Sequence, residues 1–237
     1  MKSIKLLTLA FVGIFFTSFS FAQTVDEVVA KHIEAIGGRD NWKKITSMRS
    51  EAILSTQGIE VPVIISAIHN KATKQEWSAM GMSGFTIITA EGGWMLNPME
   101  GQSKAVAIPD EQLKVGKEEL DLQGEMLDYK EKGHAIQLMG NEEINGSSCY
   151  KLKLTRKSGT EKTYFVDSKT SFIVRVVSKM SVGGQEVESV MNLSNYQKLE
   201  LGIFVPFTME NSALPAPITM SKIEVNLKIE DAVFKVE

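Results

Sequence analysis

The chain has 237 residues, a formal net charge of −3, 43% hydrophobic residues and one cysteine, Cys149. A mildly acidic chain without a basic patch is a poor partner for nucleic acid or anionic headgroups, and one cysteine permits no internal disulfide. The length suits one well-buried core.

Lys2 and Lys5 precede an uncharged apolar stretch, Leu6 to Phe21, and Ser20-Phe21-Ala22 places small residues where a signal peptidase needs them. The pattern predicts a cleaved signal peptide over residues 1–22, cut between Ala22 and Gln23, and export, most simply to a bacterial periplasm. The alternative, an uncleaved anchor, is disfavoured because a spanning helix needs roughly 20 apolar residues. No cysteine stands near the cut to carry a lipid. Removing the peptide leaves one domain, residues 23–237, with a net charge of −5. Eleven of the twelve methionines stay in it, which makes it rich in flexible apolar side chains.

Thr24 and Glu27 form a capping box ahead of Val25, Val28, Val29, Ile33 and Ile36 at helical spacing. Gly37-Gly38 ends this helix, and a short turn follows from Asp40 to Ile45 with Trp42 pinned to the body. His32 falls beside the apolar stripe and reads as packed rather than ligating. After residue 46 the period becomes two, and short strands alternate with turns at Gln57-Gly58, Asn70-Lys71, Gly81 and Gly92-Gly93. Residues 109–132 break the rhythm and predict two short helices, or a helix and a structured loop. Strands resume at Ile136 and run to Ile229.

The predicted fold is mainly β (α+β). It is a curved antiparallel sheet of about ten to eleven strands, a half-barrel covered by the N-terminal helix and the mid-chain helical segment. Two helices are small against so many strands, so the concave side should keep an apolar cavity. The candidate lining is Leu54, Val63, Ile65, Trp77, Phe85, Ile87, Trp94 and Leu96, with Met126 from the cover.

Catalytic constellations are not evident. His32, His69 and His134 lie in three elements without metal-ligand spacing, and no nucleophile elbow or phosphate loop occurs. No metal and no cofactor are expected. Glu118 and Glu119 read as a solvated helix face. Asp167 and Lys169 sit together in an apolar hairpin, but Asp167 opens a four-residue turn and Lys169 falls at its tip, so an Asx-turn is expected. Cys149 reads as a small hydrophobe at the start of a strand.

Several stretches resemble the LolA-like family of outer-membrane lipoprotein-sorting proteins. They are residues Ile33 to Trp42, Gly93 to Pro98, Asn145 to Leu152, Tyr164 to Thr170 with Arg175, Asn195-Tyr196, Gly202 to Pro206 and Asp231 to Phe234. The resemblance implies a non-enzymatic periplasmic carrier whose curved sheet, closed over by helices, holds lipoprotein acyl chains. It implies acylated lipoproteins or other lipids as cargo, and transient membrane-associated donor and acceptor proteins. Without a lipobox cysteine the chain is similar to the soluble carrier type, expected as a monomer. Alternatives are a regulatory or sensor domain of the same fold acting on a membrane partner and, less favoured, a hydrolase. Burying a methylene is worth about 0.8 kcal/mol, so one enclosed sixteen-carbon chain is worth roughly 12 kcal/mol. Three would exceed the ceiling of about 20 kcal/mol for non-covalent affinity, so a carrier that releases its cargo should bury such chains only in part.

Overall fold

The computed structural model describes residues 23–56, 58–182, 185–212, 214 and 216–236. The expected signal peptide lies outside the described residues. Helix α1, Val25–Ala35, begins with the capping box: the Thr24 amide donates to Glu27 Oε2 at 2.9 Å, and the Glu27 amide donates to Thr24 Oγ1 at 3.3 Å. A one-turn helix α2, Arg39–Trp42, follows the two glycines, and the buried Trp42 indole donates to the Ile36 carbonyl at 2.9 Å.

Six strands come next: β1 (Ser47–Thr56), β2 (Ile59–Ile68), β3 (Ala72–Ala79), β4 (Met82–Thr89), β5 (Gly93–Leu96) and β6 (Val106–Ala107). Helix α3, Asp110–Glu118, leads into a turn-rich segment, and β7 (Ala135–Ile144) and β8 (Ser147–Thr155) follow. The chain then forms β9 (Glu161–Asp167), β10 (Ile173–Val182), β11 (Gln185–Lys198), β12 (Phe204–Asn211) and β13 (Ile218–Val225).

All thirteen strands form one antiparallel sheet in the order β6-β5-β4-β3-β2-β1-β13-β12-β11-β10-β9-β8-β7. The sheet exceeds the ten to eleven strands expected; β6, of two residues, is too short to leave a periodic signal in the sequence. Two runs of hairpins meet where β1 pairs with β13. The sheet is not closed, since β6 and β7 are its two edges, and residues 108–134 run from one edge to the other.

Residues opposite one another in an antiparallel ladder share a face, so the register sorts the side chains. Ala52, Val63 and Trp77 lie on an inner face with Met220. There they pack with Ile36, Trp42 and Leu127 in the main core. Farther round the same face, Val28 and Val29 of α1 pack with Met126, Leu152, Leu154 and Tyr164. Helix α3 covers the inner face of β4 and β5: a Cβ on Gly116 would lie 2.3 Å from Ile88 Cδ1, and one on Gly93 would lie 2.8 Å from Leu113 Cδ1. The glycines allow helix and sheet to approach closely at these two points.

The outer face is not uniformly wet. Ala72, Ile87 and Phe234 form a buried cluster with Phe85 and Trp94 beside them, so the chain's last turn, Asp231–Phe234, caps the outer side of β3 to β5. Cys149 is fully buried with Ile144 and Phe165 in a small cluster of its own.

Candidate functional site

Where α1 and α3 leave the inner face uncovered, a mouth of about 530 Å³ opens between β1, β2, β3, the segment around residues 97–100, Leu214 and Ile218. Small-molecule sites typically occupy about 300–1,000 Å³. Leu54, Val61, Val63, Trp77 and Ile218 line the interior. Ile59, Met80, Met99 and Leu214 also line it, and all four belong to the large hydrophobic side chains left exposed among the described residues. The floor is shaped by a cross-strand pair: a Cβ on Gly84 would lie 2.3 Å from Trp77 Cζ2, so the indole lies directly against bare backbone. Asn97 Oδ1 is buried in the wall without a hydrogen-bond partner in the structure.

Of the nine residues expected to line a cavity, Leu54, Val63 and Trp77 meet in this mouth. Ile65 shares their face but packs deeper against the main core. Phe85, Ile87, Trp94 and Leu96 lie on the outer face. Phe85 and Ile87 stand opposite Glu76 and Lys74, whereas the inner positions of β4 are Gly84, Thr86 and Ile88. Strand β4 is apolar on both faces because both are covered, so alternation could not tell them apart. Met126 packs beneath α1, away from the mouth. The lining residues outside the nine expected include Val61 and Ile218 of the interior and the four at the rim. The rim's signal was present as apolar side chains in turns, Met80 before Gly81 and Leu214 among prolines.

The cover is held by charges. The buried guanidinium of Arg156, in the β8–β9 turn, pairs with Glu118, with Glu119 at 2.6 Å and with Glu125. Lys162 of β9 bridges Glu119 and Glu125, both at 2.9 Å, and the Tyr164 hydroxyl donates to Glu125 Oε2 at 2.6 Å. Glu118 and Glu119 are thus anchors for a buried arginine, not a merely solvated face. Burial works against the Glu119 charge, yet Lys162 and Arg156 outweigh it and hold its carboxyl below the ordinary range. Farther along the cover, Asp128 pairs with Arg39 at 2.6 Å and with Lys43 at 2.7 Å. The Asn70 amide donates to the Leu120 carbonyl at 2.8 Å, which ties the β2–β3 turn to the cover. The arrangement is an ion-pair clamp: Glu125 has its oxygens committed to a lysine, an arginine and a phenol.

The polar residues singled out in the sequence have structural partners. Asp167 Oδ1 accepts from the Lys169 amide at 2.9 Å and from the Thr170 amide at 2.7 Å, forming the expected Asx-turn. His32 is buried on α1, with Nδ1 2.9 Å from the Ser171 carbonyl. No group of three metal-binding side chains occurs among the described residues, and no helix among them is long and apolar enough to cross a membrane.

An open, curved antiparallel sheet with helices on its inner face and an apolar mouth defines a LolA-like fold. Solved structures agree. A LolA superfamily protein from Nitrosomonas europaea superposes with a TM-score of 0.56 at 15% identity, covering 90% of this chain and 98% of that one. A domain assigned to outer membrane lipoprotein sorting, from Vibrio parahaemolyticus, gives a TM-score of 0.50 at 14% identity, covering 88% and 94%. No protein-family model matches the sequence, and no curated protein sequence matches it. At these identities the likeness is one of fold.

Proposed function

We propose that the protein is a periplasmic carrier that holds acyl chains of lipoproteins, or of related lipids, in the apolar mouth of its half-barrel. The observation that supports this most is the mouth itself: apolar, open, and ringed by hydrophobic side chains that are exposed among the described residues. About 530 Å³ suits partial burial of acyl chain rather than full enclosure of several, in keeping with a cargo that must be handed on. Met80 and Met99 at the rim adapt readily to different chain positions. The reading takes residues 23–237 as one lipid-binding domain behind a cleaved signal peptide, acting as a monomer between membrane-associated donor and acceptor proteins. It assigns no catalytic step: the carboxylates of Glu118, Glu119 and Glu125 are held in ion pairs.

Mass spectrometry of the protein purified from the periplasm tests it. An intact mass beginning at Gln23, with co-purifying acylated species released by organic solvent, is expected. A preparation free of acyl ligand that also fails to take up added fatty acid would overturn the carrier reading.

A further inference from the structure

Among the described residues, three buried side-chain polar atoms have no hydrogen-bond partner in the structure: Asn97 Oδ1, Arg156 Nε and Gln23 Nε2. The first belongs to the mouth and the second to the clamp. Gln23 Nε2 belongs to neither, and a buried amide nitrogen without an acceptor is destabilising.

Gln23 is also the residue that the expected cut after Ala22 makes the first of the mature chain. There it carries a free α-ammonium one position before Thr24, the N-cap of α1. A helix N-terminus bears partial positive charge and disfavours a cation. The two acids of the first turn are already engaged. Glu27 Oε2 accepts from the Thr24 amide at 2.9 Å, and Asp26 accepts from the Tyr129 hydroxyl at 2.5 Å and from Lys130 at 2.7 Å.

One reaction relieves both conflicts. The α-amine of an N-terminal glutamine attacks its own side-chain Cδ; the N–Cδ bond forms, the Cδ–Nε2 bond breaks, and Nε2 leaves as ammonia. The product is a neutral lactam ring, and no oxidant, reductant or cofactor is consumed. The nitrogen expelled is the one without an acceptor, and the charge lost is the one that the helix opposes. The Thr24 amide keeps its hydrogen, so its bond to Glu27 survives.

We propose that Gln23 of the mature chain is converted to pyroglutamate, which closes the start of α1 against aminopeptidases because these enzymes grip a primary amine. Loss of two residues would take Thr24 and with it the capping box of the helix that packs on Leu152 and Leu154. The proposal rests on the reading of a signal peptide cut after Ala22.

Reductive dimethylation of the intact protein purified from the periplasm, followed by trypsin, tests it. The reagent tags any free α-amine, prevents glutamine from cyclising during work-up, and confines cleavage to arginine. The peptide Gln23–Arg39 is expected without a tag on its first residue and lighter by one ammonia. Mature Gln23→Ala should carry the tag on its first residue and lose residues to an added aminopeptidase, which leaves the wild type intact. A wild-type protein whose Gln23 is mostly tagged overturns the proposal and leaves the cut standing. A first residue other than Gln23 overturns both. Equal resistance of the two proteins to the aminopeptidase overturns the protective role of the ring.

Discussion

The indole of Trp77 lies on Gly84, its partner across the β3–β4 ladder, so closely that an added Cβ would lie 2.3 Å from Cζ2. This pair sets the depth of the mouth, since any side chain at position 84 must lift the ring into the space above. Gly84→Ala, whose Cβ would also lie 2.6 Å from the Leu96 carbonyl oxygen, should strain the β4–β5 pairing, shift Trp77 emission and weaken acyl binding. Unchanged emission together with full binding would show that the ring does not form the floor.

Arg156 is the post on which the cover is tied, with three glutamates around its guanidinium. Removing one partner of a buried ion pair leaves the other charges uncompensated, at a cost of about 3–5 kcal/mol. Arg156→Ala should lower the stability measured by urea unfolding by that order. Lys157→Ala, next along the turn, should change it by no more than about 0.5 kcal/mol. Equal effects of the two would mean that the clamp contributes little.

Acid should loosen the cover in two stages. Burial pushes the His32 pKa below its ordinary 6.5, against the pull of the Ser171 carbonyl. A histidine kept neutral by folding contributes stability that is complete above its unfolded pKa and is lost as pH falls below it. Against the opposing effect of burial, the carboxyl of Glu118 is held below its ordinary 4.5 by Ser158 and Arg156, and that of Glu119 by Lys162 and Arg156; both contribute stability that is lost only in the lower range. Urea midpoints measured from pH 7.5 to pH 3.5 should thus begin to fall near pH 6.5 and fall further below pH 4.5. In His32→Gln the first decline should shrink, leaving what His69 and His134 contribute, since burial lowers their pKa values as well, and the second should remain.

Gly37 fastens the end of α1 to the sheet. Its φ is +112°, and a Cβ there would lie 2.5 Å from the Gly202 carbonyl oxygen, beside the Phe204 amide that donates to the Ile36 carbonyl at 2.8 Å. Gly37→Ala should destabilise by more than about 1 kcal/mol, whereas Gly38→Ala, with the Glu34 carboxylate 3.7 Å from its added Cβ, meets only backbone strain and should cost less. Thermal unfolding of the two variants checks the order.

The boundaries of α1 and the turn at Asp167 can be read from sequence because each is settled locally: a capping box, a glycine pair, a carboxylate two residues from an amide. The half-barrel followed from strand rhythm. The face of β4 did not, because register is a long-range property and β4 is covered on both sides, by α3 over Ile88 and by Phe234 near Ile87. Nothing within Phe85-Thr86-Ile87-Ile88 distinguishes the two covers. The rim is illegible for a different reason: Met80 and Leu214 lie in turns, where no periodicity assigns a side chain to a face. Glu118 and Glu119 misled because their partner, Arg156, lies 37 and more residues away in the chain.

The most direct measurement is quenching of tryptophan fluorescence by an acyl chain brominated along its length. Trp42 is buried in the core and Trp94 lies on the outer face, so a chain in the mouth meets Trp77 alone. Saturable quenching that disappears in Trp77→Phe is the expected result. Binding without quenching, or quenching that persists in Trp77→Phe, would place the ligand elsewhere and contradict the assignment of the mouth.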